Sequence, residues 1–444
     1  MTRSVARSAS IAVIALLTGV AATFAATPAQ AGSIVTPGDF KGYGFDQCLA
    51  PSQSAMDAWL KNSPFLAVGI YISGDSRACR SQPNLSKRWV NTQLTKGWRL
   101  LPITLGPQAS CNPRFPRYGN DKTINARPGA NRKYGKARAQ GRAEAVKAVA
   151  AADALGIAPR STLWYDIEGF DATNTRCRES TLAFLSGWTF KLHELNYVSG
   201  VYSSAGSGIK ILDDARVNRP DAFNLPDMIW LARWDGMANT GSSYIRADGW
   251  RPGGRVKQYQ GGHNETWGGV TINIDRNFLD VGKGSWAAPE DHCSATRVSF
   301  PGYRRIAPAT TDVEMVAALK CLLKEQGVYG GRVNGTYNER LRIALRTWQT
   351  DHGFAVRDAW TRPNWVSLLA TGRGKVLKWG SAGTEVRRLQ RALNAAHSDA
   401  ELSVNGVFGT STATAVRTYQ QRVGLKSDGI AGPSTWSALW KGKR

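Results

Sequence analysis

Eight short apolar runs between Gly42 and Leu279 limit what this chain can fold into more than any other feature. They are GYGFDQC (42–48), FLAVGIYIS (65–73), WRLLPITLG (98–106), TLWYDIEG (162–169), VSGVYSS (198–204), MIWLARW (228–234), RVKQYQ (255–260) and TINIDRNFL (271–279). Rich in β-branched and aromatic residues and bounded by turn formers, they read as strands. Helical patterns fill the first five gaps: SQSAMDAWLKN, LSKRWVNTQLTKG, YGKARAQGRAEAVKAVAAADALG, RESTLAFLSGWTFKLHELN and a weaker AGSGIKILDDARV. The last three strands are joined by Gly- and Asn-rich turns instead. Strands separated by crossover helices predict a parallel sheet. Eight of them predict an α/β fold, an irregular (β/α)8 barrel of TIM type with helix-poor last strands. A doubly wound open sheet is the competitor. It would normally carry a glycine-rich phosphate turn, and GYGFDQC lacks the third glycine and a helix start directly after it.

The chain opens with Arg3 and Arg7 ahead of an apolar run that ends in Ala-Gln-Ala at Ala31, the pattern of a secretory signal peptide over 1–31. No adjacent arginine pair precedes that run, which favours the general export route. No later apolar run reaches the ~18 residues a bilayer span needs. A secreted, extracellular product associated with the cell wall is expected, with no membrane contact after cleavage. Six cysteines (Cys48, Cys79, Cys111, Cys177, Cys293, Cys321) follow the signal. An even set in an exported chain predicts three disulfides. Cys293 and Cys321 are expected to pair locally, leaving the other four to pair among themselves. The formal charge of +24 favours polyanionic surroundings. An exported protein meets anionic wall polymers far more readily than nucleic acid, so the former are the expected partners.

Beyond Gly282 the composition changes. The stretch GKGSWAAPEDHCSATRVSFPGYRRIAPATT reads as a linker, and an internal repeat follows it. NGTYNERLRIALRTWQTDHGF (334–354) aligns with NGVFGTSTATAVRTYQQRVGL (405–425), and Trp365 and Leu368 share their offsets with Trp436 and Leu439. The expected layout is a barrel over 32–284, a linker over 285–311, and small all-α modules over 312–371 and 372–444.

The fourth strand carries the chemistry. Residues two apart on a strand share a face, ~6.5–7 Å apart, so Asp166 and Glu168 point the same way, toward the carboxyl-end mouth where such barrels place their sites. As a string Asp-x-Glu is weak: Asp312-Val-Glu314 opens a helix, where acids suit the dipole, and Asp399-Ala-Glu401 lies in a polar segment. The first strand adds Asp46, the sixth Asp235, here read as a loop cap, and the eighth Asp275. Trp164, Tyr165, Tyr202, Trp230, Trp234, Gln258 and Tyr259 lie near the same strand ends. Paired carboxylates with aromatic faces are what glycoside hydrolysis needs, one acid protonating the leaving oxygen and a second stabilising or attacking the oxocarbenium-like centre. The plainer reading keeps one acid in a salt bridge and many aromatics in the core. A zinc site is not expected, since five histidines show no metal-ligand spacing. Nor is any other cofactor. GVYSSAG does not form a Gly-x-Ser-x-Gly elbow.

GFDQ, YDIE, VYSS, WLARW, KQYQ and IDRNF, in that order, resemble the landmarks of the family-25 glycoside hydrolases, the lysozyme-like N-acetylmuramidases, and more closely their secreted actinobacterial glycoside hydrolase-like relatives. The likeness covers about residues 40 to 282 and implies the same irregular barrel. The repeats resemble peptidoglycan-binding domain 1 modules, and the second copy, ending DGIAGPSTWSAL, is the better match. Residue by residue, the likeness implies Glu168 as general acid. It makes Asp166 a partner that stabilises the transition state or orients the substrate's acetamido group, with Asp46 and Asp275 in the same subsite. It also implies peptidoglycan glycan strands as the partner. Gln47 and Cys48 follow Asp46 where the muramidases continue with a Val-Ser-like sequence, so a disulfide is expected to shape that rim. The alternative is a non-catalytic glycan-binding protein, because fold alone never guarantees chemistry.

Overall fold

Eight strands close into a barrel in sequence order: β1 (Phe40–Asp46), β2 (Ala67–Ser73), β3 (Arg99–Thr104), β4 (Thr162–Ile167), β5 (Val198–Ser204), β6 (Met228–Ala232), β7 (Gly254–Trp267) and β8 (Val270–Val281). Helices α1 (Gln53–Asn62), α2 (Lys87–Lys96), α3 (Gly135–Ala154), α4 (Thr175–Glu194) and α5 (Gly208–Asn218) fill the first five gaps. This computed structural model describes residues 34–119, 121–131, 133–397 and 402–444. The expected signal segment 1–31 and the Asp399/Glu401 pair lie outside them. No helix of the described residues is long and apolar enough to cross a membrane.

The mixed α/β barrel followed by helical modules agrees with the sequence reading, but the all-parallel sheet does not. β8 runs antiparallel to both β1 and β7. The cause is local. Trp267 pairs with Val270 across Gly268 and Gly269, whose φ of +59° and +78° make a two-residue hairpin turn with both central residues in the left-handed region. A two-residue loop cannot carry a crossover, so the next strand must turn back. The approach at Gly268 is also close: a Cβ there would lie 2.5 Å from Asn62 Nδ2, and that amide would have to turn aside.

Large aromatics fill the barrel interior. Trp164 and Trp230 meet edge to face with ring centroids 5.6 Å apart, both essentially inaccessible. Their bulk needs a glycine opposite, and a Cβ on Gly200 would sit 2.4 Å from the Trp164 ring. Outward-facing Tyr165 packs instead on Phe184 and Trp188 of α4.

Three disulfides are formed: Cys48–Cys79, Cys111–Cys177 and Cys293–Cys321. The local pairing and the split of the other four match expectation, and such bridges fit an oxidising compartment.

The C-terminal part holds α6 (Val313–Glu325), α7 (Glu339–Asp351), α8 (Arg362–Ala370), α9 (Thr384–Ala396), α10 (Thr410–Arg422) and α11 (Pro433–Trp440). Both sets of three helices share one continuous apolar core. The segment 285–311 is no free linker, because Val298, Phe300, Tyr303 and Ile306 are buried in that core. Polar ties reinforce it: His292 bridges Glu290 and Glu325, and Glu290 also accepts from Arg391 at 2.7 Å.

The turn before α9 docks against the base of the barrel, the end opposite the carboxyl ends of its parallel strands. Lys378, 2% exposed, donates to the carbonyls of Ser63 (2.9 Å) and Trp59 (3.4 Å) and lies over the Trp98 ring. Trp379 packs on Tyr43 and Phe278, and Gly380 lies against Phe40. Burial without a carboxylate partner pushes the Lys378 ammonium well below the usual lysine range. The folded state therefore binds fewer protons than the unfolded chain, and stability should rise as pH climbs toward the unfolded lysine value. Lys378→Met is expected to stabilise the protein at pH 7 by about 1–2 kcal/mol and to flatten that rise, measured by denaturant unfolding across pH. Destabilisation at every pH would mean that the two carbonyl bonds outweigh the buried charge.

Candidate functional site

Barrel closure brings β1 and β8 together, and in that register Asp46 stands directly opposite Asp275. Asp46 is 5% exposed, and its Oδ1 accepts from Asn277 Nδ2 at 2.7 Å and Gln258 Nε2 at 3.2 Å. Asn277 is itself fixed by Trp230 Nε1, which donates to its Oδ1 at 2.8 Å. Burial first, and the charge of Asp275 second, push the Asp46 carboxyl up to about 8. Burial also pushes Asp275 up, to about 6, against the opposing effect of its hydrogen bond with Asp46. Two adjacent carboxyls share a proton, which rests on Asp46 and is donated to Asp275.

Asp166, on β4, is 2% exposed. Its Oδ2 accepts from the Tyr71 hydroxyl at 3.1 Å, while its buried Oδ1 has no hydrogen-bond partner among the described residues. Burial, then the charge of Glu168, holds this carboxyl well above the usual range. Gln108 clamps the end of the strand: its Nε2 donates to Asp166 O at 2.7 Å, and its Oε1 accepts from Glu168 N at 2.8 Å. Glu168 itself is open to solvent, its side chain 26% exposed, and its Oε2 accepts from Arg114 Nη2 at 2.8 Å. That arginine is 63% exposed.

Asp46, Glu168 and Asp275 line one cavity of about 250 Å³, together with Tyr71, Arg77, Arg117 and the Cys48–Cys79 bridge. Asp166 lies beneath it, in contact with Tyr71. Four acids from three strands therefore meet around one small space. A larger cavity of about 470 Å³ lies between α9 and α10 and is lined by Leu393, Thr414 and Tyr419. Among the described residues it holds no carboxylate.

Of the aromatic and amide residues expected in the cleft, three converge beside Asp46, though none of them lines the cavity itself. Gln258 Oε1 accepts from the Tyr202 hydroxyl at 3.0 Å and from Trp234 Nε1 at 2.9 Å, and Trp234 is 66% exposed. Three do not. Tyr165 alternates with Asp166, so its ring lies under α4 and its hydroxyl donates to Pro107 O at 3.0 Å. Tyr259 alternates with Gln258, is 5% exposed and sits beside Tyr43 and Arg276 outside the barrel. Trp230 has the inward parity but is 1% exposed, too deep to touch a ligand, and acts through Asn277. Asp235 is the cap expected of it, accepting from Met237 N at 3.0 Å and pairing with Lys257 at 2.7 Å.

Sequence reasoning missed Tyr71, Gln108, Asn277, Arg77 and Arg117. The first three are neutral side chains on strands or loops, and the arginines are two among 57 Lys+Arg. Cys293, Cys321 and Glu325 cluster at metal-binding spacing, yet the two sulfurs are joined and supply no thiolate.

Comparison with known proteins supplies context. The model of the Rv2525c-like, glycoside hydrolase-like domain matches residues 57–279, half of the chain, and a peptidoglycan binding domain model matches 382–439. The Streptomyces albus G protein "Zinc D-Ala-D-Ala carboxypeptidase" is 41% identical over 66 residues, 15% of this chain and 26% of that protein. A Bacillus licheniformis "Probable N-acetylmuramoyl-L-alanine amidase" is 40% identical over 75 residues, 17% of this chain and 21% of its own. The chain thus spans about a quarter or less of these two relatives. Among solved structures, the Tat-secreted protein Rv2525c of Mycobacterium tuberculosis with L-tartrate is 16% identical, with a TM-score of 0.35 over 54% of this chain and 95% of that one.

Proposed function

Taking as premise that the chain belongs to the Rv2525c-like glycoside hydrolase-like family, we propose that it is a secreted, wall-associated glycosidase of the N-acetylmuramidase type. It cuts β-1,4 bonds in peptidoglycan glycan and is held on the wall by its C-terminal modules, with anionic wall polymers drawn to its positive charge. The observation that carries this reading is the convergence of Glu168, Asp275 and Asp46 on one open cavity above Asp166.

Glu168 is the acid with access to solvent, so it delivers the proton to the leaving glycosidic oxygen. Asp275, half-buried and lining the same cavity, faces the cationic anomeric centre as a carboxylate. Asp46 keeps a proton and holds Asp275 by a hydrogen bond. Asp166, whose burial beneath Tyr71 pushes its carboxyl up, takes the role of orienting the acetamido group. A second carboxylate must be ionised while the first still carries its proton, as acid and nucleophile or stabiliser. Tandem modules raise the local concentration of glycan without adding contacts in the cleft.

Digestion of purified peptidoglycan distinguishes the reactions. New reducing sugar ends are expected, without the free amino groups that an amidase or carboxypeptidase releases. Amino groups without reducing ends, or neither product, would refute the proposal; glycan binding without cleavage would point to a binding protein. The pH–rate profile should rise through a limb near 6, where Asp275 ionises. The limb near 6 should vanish in Asp275→Asn.

A further inference from the structure

The proposed acid stands one residue beyond the sheet. β4 ends at Ile167, and on its β3 side the pairing stops earlier, at Thr104 opposite Tyr165. Leu105 turns to the other neighbour, donating to Ser73 O at 3.1 Å and accepting from Ser76 N at 3.0 Å. Parity decides what that leaves at risk. Asp166 and Glu168 share a face only while the backbone between them stays extended, and a slip of one residue would turn the Glu168 carboxyl away from the cavity.

A side chain takes the place of the missing strand. In a parallel ladder, the residue opposite Ile167 would donate its N–H to the carbonyl before Ile167 and accept from the N–H after it. The Gln108 carboxamide makes both bonds at once: its Nε2 donates to Asp166 O at 2.7 Å and its Oε1 accepts from Glu168 N at 2.8 Å. It is 1% exposed, so water does not compete for either. Gln108 is held in turn, because Ile124 N donates to its carbonyl at 2.8 Å and its Nε2 also reaches Gly106 O at 3.2 Å. Asn112, 2% exposed, adds a second amide on the same loop: its Nδ2 donates to Gly169 O at 3.0 Å and its Oδ1 accepts from Arg114 N at 3.0 Å. Beside it Cys111 is bonded to Cys177 in the first turn of α4.

We propose that the loop from Gly106 to Asn112 splints the end of β4 and that Gln108 is a positioning residue for Glu168. Its carboxamide prolongs the ladder past the last residue of β3, which keeps Glu168 extended and its carboxyl among the residues of the cavity. A buried loop amide whose only task was to satisfy its own polarity could take any partners. This one bonds peptide groups alone, and two of them are those flanking Ile167. The inference rests on the glycosidase reading, in which Glu168 delivers the proton, and displacing such a group by ~1 Å can cost about 10²-fold in rate.

Two near-isosteric variants of the full chain test it. Gln108→Met fills the volume and makes neither bond, whereas Gln108→Glu makes both while its carboxyl is protonated and loses the donor when it ionises. Each is compared with wild type at about pH 5 and about pH 8, by initial rates of reducing-end release from soluble peptidoglycan fragments and by hydrogen exchange of the Glu168 amide. Gln108→Met is expected to lower kcat about 10–100-fold with KM changed less than about twofold, and to speed that exchange at least about tenfold. Gln108→Glu, whose buried carboxyl holds its proton in acid, should stay within about threefold of wild type near pH 5 and fall toward the Met variant as it ionises. Lost packing alone would lower both variants alike at both pH values. Unchanged exchange in Gln108→Met, faster exchange with kcat intact, or no recovery of Gln108→Glu in acid would overturn the inference. Wild-type protein that releases no reducing ends defeats the glycosidase reading, and the hold of Gln108 on Glu168 then stands or falls on the exchange result alone.

Discussion

Glu168→Gln is expected to lower the initial rate of reducing-end release from purified peptidoglycan by roughly 10²–10⁴-fold, the usual contribution of a positioned general acid. Binding should survive, since the substitution removes a proton and little volume. Gln108 should still hold the Glu168 backbone N–H, so the end of β4 keeps its shape. A loss smaller than about tenfold would mean that another carboxyl protonates the leaving group. Asp275 would be the next candidate, as the other incompletely buried acid in the cavity.

Asp46→Asn should have the second large effect, with opposite signs on stability and activity. In the wild type the folded carboxyl holds its proton up to about 8, far above the unfolded value near 4. The folded state thus binds the extra proton between those values, and stability present below pH 4 is lost as pH rises through 8. Asparagine is neutral throughout and still accepts from Asn277 and Gln258 at the same oxygen. The variant is therefore expected to be more stable than wild type at pH 8 by a few kcal/mol and equal to it near pH 4, with a correspondingly flatter stability–pH curve. Its activity should fall, because Asp275 loses the partner that shares a proton with it. Equal pH dependence in both proteins would show that Asp46 is not held protonated. Such a trade of stability for function is common at active sites.

How far the sequence spoke for this site differs from residue to residue. Parity on β4 correctly aligned Asp166 with Glu168, and the same parity, applied strictly, would have turned Tyr165 and Tyr259 away from the cleft. Depth is another matter. Trp230 has the inward parity but lies a layer too low, and period-2 patterning carries no information about how far along the barrel axis a side chain sits. The direction of β8 was hidden for the same reason, since an alternating pattern reads alike either way. The Gly268–Gly269 pair was nevertheless a legible hairpin signal between two strand-like runs. Tyr71, Gln108 and Asn277 could not be singled out, because only the closed sheet puts them beside the acids. The segment 285–311 looked like a linker through its prolines and small residues, yet Val298, Phe300, Tyr303 and Ile306 find a core only once the repeats fold against it.

The docking of the turn around Lys378 has a consequence for turnover on an insoluble polymer. It fixes the helical modules to the barrel end remote from Asp46, and the seven residues of β1 alone put roughly 20 Å between the two. On the reading proposed above, the cleft and the anchoring modules then face different stretches of the wall, so release of a cut fragment need not break the attachment.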